Sequence, residues 1–183
     1  MSWKIDPAHT RVVFSVRHMM ISQVHGGFDE VSGTVEFDEE HPTNSTVDVK
    51  IKADSINTGQ PQRDTDLKAP NFLDVEKYPY LCFKSQRVEV IDDRHGKLIG
   101  DLTIKDVSKE VTLDVEYAGQ VKSPFGHVSA GFTASTMIDR KDWGLTWNKP
   151  LETGGVLIGD ELEINIEVEL IKETEEEAEA VPA

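Results

Sequence analysis

Ten residues near the C-terminus, Glu161 to Leu170, read E-L-E-I-N-I-E-V-E-L. Every second residue is apolar and every intervening one is Glu or Asn. A period of two puts Leu162, Ile164, Ile166, Val168 and Leu170 on one face of a strand, with the acids and Asn165 on the other. The same alternation recurs through most of the chain. Long antiparallel strands that are dry on one face must wrap around something apolar. What fills the inside then becomes the question of function.

The chain has 183 residues, enough for one domain with a sizeable core. No apolar run approaches the roughly 18 residues that a membrane helix needs. The N-terminus passes from Met1 to Trp3, Ile5 and Asp6 without the basic region and apolar stretch of a secretory leader, so a cytoplasmic protein is expected. The single cysteine, Cys82, excludes an internal disulfide; beside Leu81 and Phe83 it reads as a packed thiol. A net charge of −15 argues against binding nucleic acid or anionic lipid surfaces through bulk electrostatics. Residues 173–183 carry five Glu and no base, and are expected to form an acidic, disordered tail after a single domain over residues 1–172.

Strands are expected at Trp3–Asp6, Arg11–Met20, Val31–Asp38, Val47–Ala53, Tyr80–Val90, Lys97–Lys105, Val111–Tyr117, Val128–Ile138 and Glu161–Leu170. Gly26-Gly27 reads as a turn or bulge, and Arg94-His95-Gly96 as a tight turn. Asp54 to Pro79 breaks the alternation. Its polar stretch Gln62–Lys68 carries the chain's one helical signal, followed by a covering loop. Eight or nine antiparallel strands joined mostly by short turns make a meander. Such a meander either closes into a barrel or folds into a two-sheet sandwich.

The inward faces mix large residues with small ones (Gly33, Ala53, Gly100, Ala130, Ala134) and carry few charges. An eight-stranded barrel of this kind either fills its lumen with side chains or holds one small ligand. The natural occupant of a dry lumen is a hydrocarbon chain. At about 0.8 kcal/mol for each buried CH₂, a chain of about twenty carbons gains about 16 kcal/mol before ordering costs.

Four stretches resemble the YceI family of bacterial lipid-binding proteins. They are W-K-I-D-P-A-H-T-R-V-V-F-S-V-R-H (Trp3 to His18), the run from Ile56 to Pro79 that contains Q-R-D-T-D-L, G-D-L-T-I-K-D-V-S-K-E-V-T-L (Gly100 to Leu113) and I-D-R-K-D-W-G-L (Ile138 to Leu145). The resemblance covers residues 3 to 172. It implies an all-β fold, a lipocalin-like extended eight-stranded antiparallel β-barrel with a short helix covering one end. It also implies a polyisoprenoid or an isoprenoid quinone in the lumen, and binding or transport in place of catalysis. Expected partners are that lipid, a membrane surface met transiently and a second copy of the chain.

Phe14, Val16, Met20, Val35, Phe37, Phe83, Leu102, Phe132 and Ile166 are the candidates to contact a lipid tail. His18, Arg63, Asp64 and Arg140 are the candidates near a polar head. Each has a plainer role open to it. His18 serves equally as a hydrogen-bonded core histidine. Arg63-Asp64 and Asp139-Arg140 serve equally as pins that hold loops to the barrel rim, although an Arg fork also suits phosphate or carboxylate. His9 caps a turn. Trp143 and Trp147 either line the mouth or plug one end. No catalytic residue is expected, because Ser22, Ser85, Ser129 and Ser135 lack a Gly-x-Ser-x-Gly setting. No metal or other cofactor is expected, because no Cys/His cluster exists. Two rival readings stay open: an enzyme acting on such a lipid, for which His18 is the one inward candidate, and a filled barrel that serves as a protein-interaction module.

Overall fold

A computed structural model describes residues 2–152 and 154–174. Most of the expected acidic tail lies outside them. Eleven strands form one antiparallel sheet: β1 (Ser2–Ile5), β2 (Arg11–His18), β3 (Ser22–Phe28), β4 (Val31–Glu36), β5 (Thr46–Lys52), β6 (Ile56–Asn57), β7 (Tyr80–Val90), β8 (His95–Ile104), β9 (Val107–Lys122), β10 (Val128–Asp139) and β11 (Ile158–Lys172). The one α-helix among the described residues, α1 (Pro61–Lys68), follows β6.

The eleven strands make eight staves. β1 and β2 form the first, interrupted by the 3-10 turn Pro7–His9, where Pro7 has no N–H to give to the ladder. Asp6 caps that turn by accepting from Ala8 N–H at 3.0 Å. β3 and β4 form the second stave, and β5 and β6 the third, broken by Ala53–Ser55. β7 to β11 complete a meander. β11 then pairs with both halves of the first stave: Ile5 lies opposite Leu170, and Val16 opposite Leu162. The result is a closed eight-stranded barrel. No strand edge is left between the first and last staves, which removes the usual template for aggregation.

Three local expectations shift. β2 stops at His18, because Met19 and Met20 adopt left-handed φ values of 52° and 67° and Ile21 N–H closes a turn onto His18 O at 3.2 Å. Met20 thereby leaves the apolar face of the strand. Gly26 and Gly27 sit inside β3. A Cβ on Gly26 would lie 2.7 Å from the Phe14 ring, so the glycine makes room for an aromatic residue on the neighbouring strand. The β7–β8 turn lies at residues 91–94, before His95, held by the Asp92 carboxylate, which accepts from the backbone N–H groups of Arg94 and His95, each at 2.8 Å.

Two apolar clusters close the barrel's ends. At one end Trp143, Leu145, Ile138, Ile104 and Leu73 pack beneath α1 and the loop that follows it. Trp143 is 3% exposed and donates its indole N–H to Leu102 O at 2.9 Å. At the other end Trp3, Val35, Ala130 and Leu170 are buried against Phe37, Tyr117 and Phe132. The Phe37 ring lies 5.1 Å from Phe132 and 5.3 Å from Tyr117, both edge-on. Trp143 is therefore a plug, whereas Trp147 is an exposed rim residue. Trp143→Ala should cost about 3–5 kcal/mol in chemical denaturation, and Trp147→Ala well under half of that. Equal costs would contradict this division of roles.

Candidate ligand-binding cavity

Between the two clusters the inward side chains do not fill the lumen. Phe14, Val16, Phe28, Val49, Leu98, Val115, Ala134, Leu162, Ile164 and Ile166 are only half-buried, although they face the inside of a closed barrel. The space they surround is a cavity of about 1170 Å³, with side chains from all eight staves in its wall. That exceeds the roughly 300–1,000 Å³ usual for small-molecule pockets. The wall is dominated by Val, Leu, Ile and Phe.

Phe14, Val16, Val35, Phe37, Phe83, Leu102, Phe132 and Ile166 all line this cavity. Met20 does not; it sits half-exposed at the β2–β3 tip, against Gly155. The alternation placed Met20 in register with Val16, but the left-handed turn takes it out of the strand. Phe72 and Leu73, from the loop after α1, also reach the wall. Nothing periodic marks them in the sequence, since they lie where the alternation lapses.

Of the four residues considered for a polar head, His18, Arg63 and Arg140 reach the cavity wall and Asp64 does not. The Asp64 carboxylate accepts from both the backbone N–H, at 2.9 Å, and the hydroxyl of Thr58. Arg63 grips the same residue from its other side, donating Nε–H to the Thr58 hydroxyl and Nη2–H to Thr58 O, each at 2.8 Å. The pair pins α1 to the end of β6, and Arg63 keeps its remaining nitrogen for another partner.

Arg140 is 3% exposed and spends its guanidinium on backbone carbonyls: Gly159 O at 2.9 Å, Trp147 O at 3.0 Å, and Leu145 O. Burial pushes it below its ordinary pKa, and the charges of Asp160 and Asp139 oppose that shift. An Arg so engaged braces the 145–159 loop. His18, by contrast, is half-buried on the wall, and its ring has no hydrogen-bond partner among the described residues. Arg17, beside it, also reaches the wall and makes one long contact, 3.4 Å to Met20 O.

The two ends of the cavity differ in charge. Arg17, Arg63 and Arg140 stand against Asp66 at the helix-covered end; Glu39, Glu40, Asp92 and Asp93 stand against Arg94 and Lys97 at the other. At that far end Glu39 straps the 37–45 loop to β9, accepting from the Gln120 amide at 2.7 Å and the Tyr117 hydroxyl at 3.3 Å. Burial above all raises the Tyr117 pKa, and the Glu39 charge adds to it.

Outside the barrel, Asp6, His9 and Glu169 place three potential metal-ligand atoms within 4.8 Å of one another. Asp6 and His9 form an ion pair at 2.7 Å, which lowers the carboxyl pKa and raises that of the imidazole. His9 thus supports the cap that Asp6 supplies. Cys82 is half-buried on the outer face of β7, in register with Lys50 and Thr103, and so is less enclosed than a core thiol.

Arg140→Leu leaves several buried carbonyls without a donor, each worth about 1–3 kcal/mol. The variant should lose about 3 kcal/mol or more in urea unfolding. A loss under about 1 kcal/mol would show that Arg140 is free to serve a ligand.

Comparison with known proteins agrees with this geometry. A family model described as YceI-like domain matches residues 3–170. A UPF0312 protein of Staphylococcus aureus (strain N315) is 32% identical over 169 residues, covering 92% of this chain and 96% of that protein. The crystal structure of a Campylobacter jejuni YceI protein is 34% identical with a TM-score of 0.74, covering 86% of this chain and 90% of that one. A polyisoprenoid binding domain from Saccharophagus degradans shares the fold at 12% identity, with a TM-score of 0.65 and coverage of 93% and 98%. On its sequence and its barrel, this chain belongs to the YceI-like family.

Proposed function

We propose that the protein binds and carries one long-chain isoprenoid amphiphile, with the tail in the lumen and the polar head at the helix-covered end. The observation that carries this reading is the cavity. An eight-stranded barrel with nothing to hold can fill its lumen with side chains. Here about 1170 Å³ of apolar-walled space remains, and the Val, Leu and Phe side chains around it stay half-exposed. Filling that space with hydrocarbon gains about 0.8 kcal/mol for each buried CH₂. The Saccharophagus degradans neighbour, a polyisoprenoid binding domain, supports the choice of ligand class. A filled barrel acting as an interaction module does not fit an open lumen.

The charge difference between the ends supports the orientation of the head. Arg17 and Arg63 favour an anionic head such as a prenyl phosphate over a quinone, and His18 is placed to donate to it. Binding is favoured over catalysis by the same geometry. An acid–base mechanism at His18 needs a second group to set its protonation, and no side chain among the described residues hydrogen-bonds its ring.

Two substitutions test the reading in titrations with fluorescent prenyl ligands. Ala134 lies on the wall of the lumen, opposite Val115 and Ile166. Ala134→Trp should fill space meant for the tail and weaken binding by tenfold or more, about 1.4 kcal/mol, with the barrel still folded by circular dichroism. Arg17→Gln should weaken a prenyl phosphate by roughly fivefold, about 1 kcal/mol, and leave a prenyl alcohol unchanged. Full affinity in Ala134→Trp contradicts a lumen site; equal effects on both ligands contradict an anionic head at Arg17.

A further inference from the structure

Residues 11–28 contain no Asp or Glu, in a chain that has 34 of them. They do contain Arg11, Arg17, His18 and His25. This segment is the β2–β3 hairpin, and its tip is Met19-Met20-Ile21. The three side chains are 41%, 50% and 82% exposed. A chain of net charge −15 thus presents an acid-free hairpin with an apolar point.

The backbone of that point is also unusual. Met19 and Met20 both have positive φ, and Ile21 N–H returns to His18 O, the geometry of a type I′ turn. Asn-Gly suits such a turn; two methionines strain it. The strain is held by an outside contact, Met19 N–H donating to Leu157 O at 2.8 Å. Backbone strain held in place at non-glycine residues is a pointer to function. The tip grows directly out of the cavity wall, since Arg17 and His18 line it, as do Leu157 and Ile158 across the pairing. Trp147, exposed and lying over Phe72 with ring centroids 5.4 Å apart, stands at the same end.

We propose that this hairpin tip docks the protein on an anionic phospholipid bilayer. Met19, Met20 and Ile21 enter the headgroup boundary, as the apolar residues of interfacial anchors do. Arg17 and His18 face the lipid phosphates. The helix-covered end of the cavity is then held at the surface from which an isoprenoid leaves the bilayer. This rests on the lipid-carrier reading above. Acids at this end include Asp66 on the cavity wall, and Asp160, which pairs with Arg140 at 3.8 Å and Lys141 at 3.1 Å; charges more than a Debye length away, ~8 Å at physiological salt, are screened. A second exposed apolar tip, Val121 to Phe125, lies at the far end of the barrel within the equally acid-free stretch 117–138, but its cavity setting differs. No residue between 118 and 131 lines the cavity there, and the neighbouring 37–45 loop is acidic.

The test is flotation with vesicles of equal parts phosphatidylcholine and phosphatidylglycerol, free of prenyl lipid. The full chain should float with them, and less so as salt is raised. The double variant Met19→Asn, Met20→Gly should raise Tm by a few degrees, since Asn-Gly relaxes the turn, yet lower the bound fraction by about tenfold. Ile21→Ser should lower it as well, and Phe125→Ser should not. Absence of flotation by the unmodified chain, full flotation by the double variant, or loss with Phe125→Ser alone would each overturn the proposal. Uptake of a prenyl phosphate from detergent micelles separates the two readings. Uptake retained by the double variant supports a docking role for the tip. Vesicle binding by an unmodified chain that takes up no prenyl lipid supports docking and contradicts the carrier reading.

Discussion

The pairing of β11 with the first stave is the contact on which the rest of the molecule depends. β11 runs antiparallel to β1 and β2 in turn, so one strand seals the barrel along the whole first stave. That closure turns five alternating residues, Leu162 to Leu170, into part of a wall. It also fixes the distance across the lumen. With eight staves the interior is just wide enough to be filled or to hold a ligand, and a small wall residue such as Ala134 tips the balance towards space.

The breaks in the staves follow from the same constraint. The first three staves each bend in the middle, at Pro7–His9, Asp29–Glu30 and Ala53–Ser55. Each bend gives up a few ladder hydrogen bonds and recovers others: Ala8 N–H to Asp6, Glu30 N–H to Ser55 Oγ, and Ala53 N–H to Pro79 O. Beyond the third bend β6 has no β7 beside it, and α1 with its loop takes the place of a strand. That is why one end of the cavity is walled by Arg63, Leu67 and Phe72 in place of ladder residues.

Most of the barrel was legible in the sequence, because period two is a direct consequence of one wet and one dry face. Eight of the nine residues expected to contact the tail line the cavity for that reason. Met20 failed where a turn with positive φ overrode the alternation, and no glycine was there to signal it. Gly26 and Gly27 failed the opposite way: they look like a turn but lie inside β3, where Gly26 admits the Phe14 ring and Gly27 the Val12 carbonyl. The polar residues were harder to read, since an Arg that binds a ligand and an Arg that braces a loop look alike in one dimension. Only the carbonyls around Arg140 and the Thr58 contacts of Arg63 and Asp64 distinguish the two. The identity of an isoprenoid was never in the periodicity; it entered through resemblance to a family.

The claim at the centre of this account is that the lumen is a lipid site and not merely a poorly filled core. Native mass spectrometry of protein purified without detergent tests that most directly. The account predicts one prenyl-lipid adduct per chain, removed by organic solvent and restored by adding a prenyl phosphate. Protein that runs at its bare mass, and that stays there after prenyl phosphate, prenyl alcohol and quinone are each added, would contradict it.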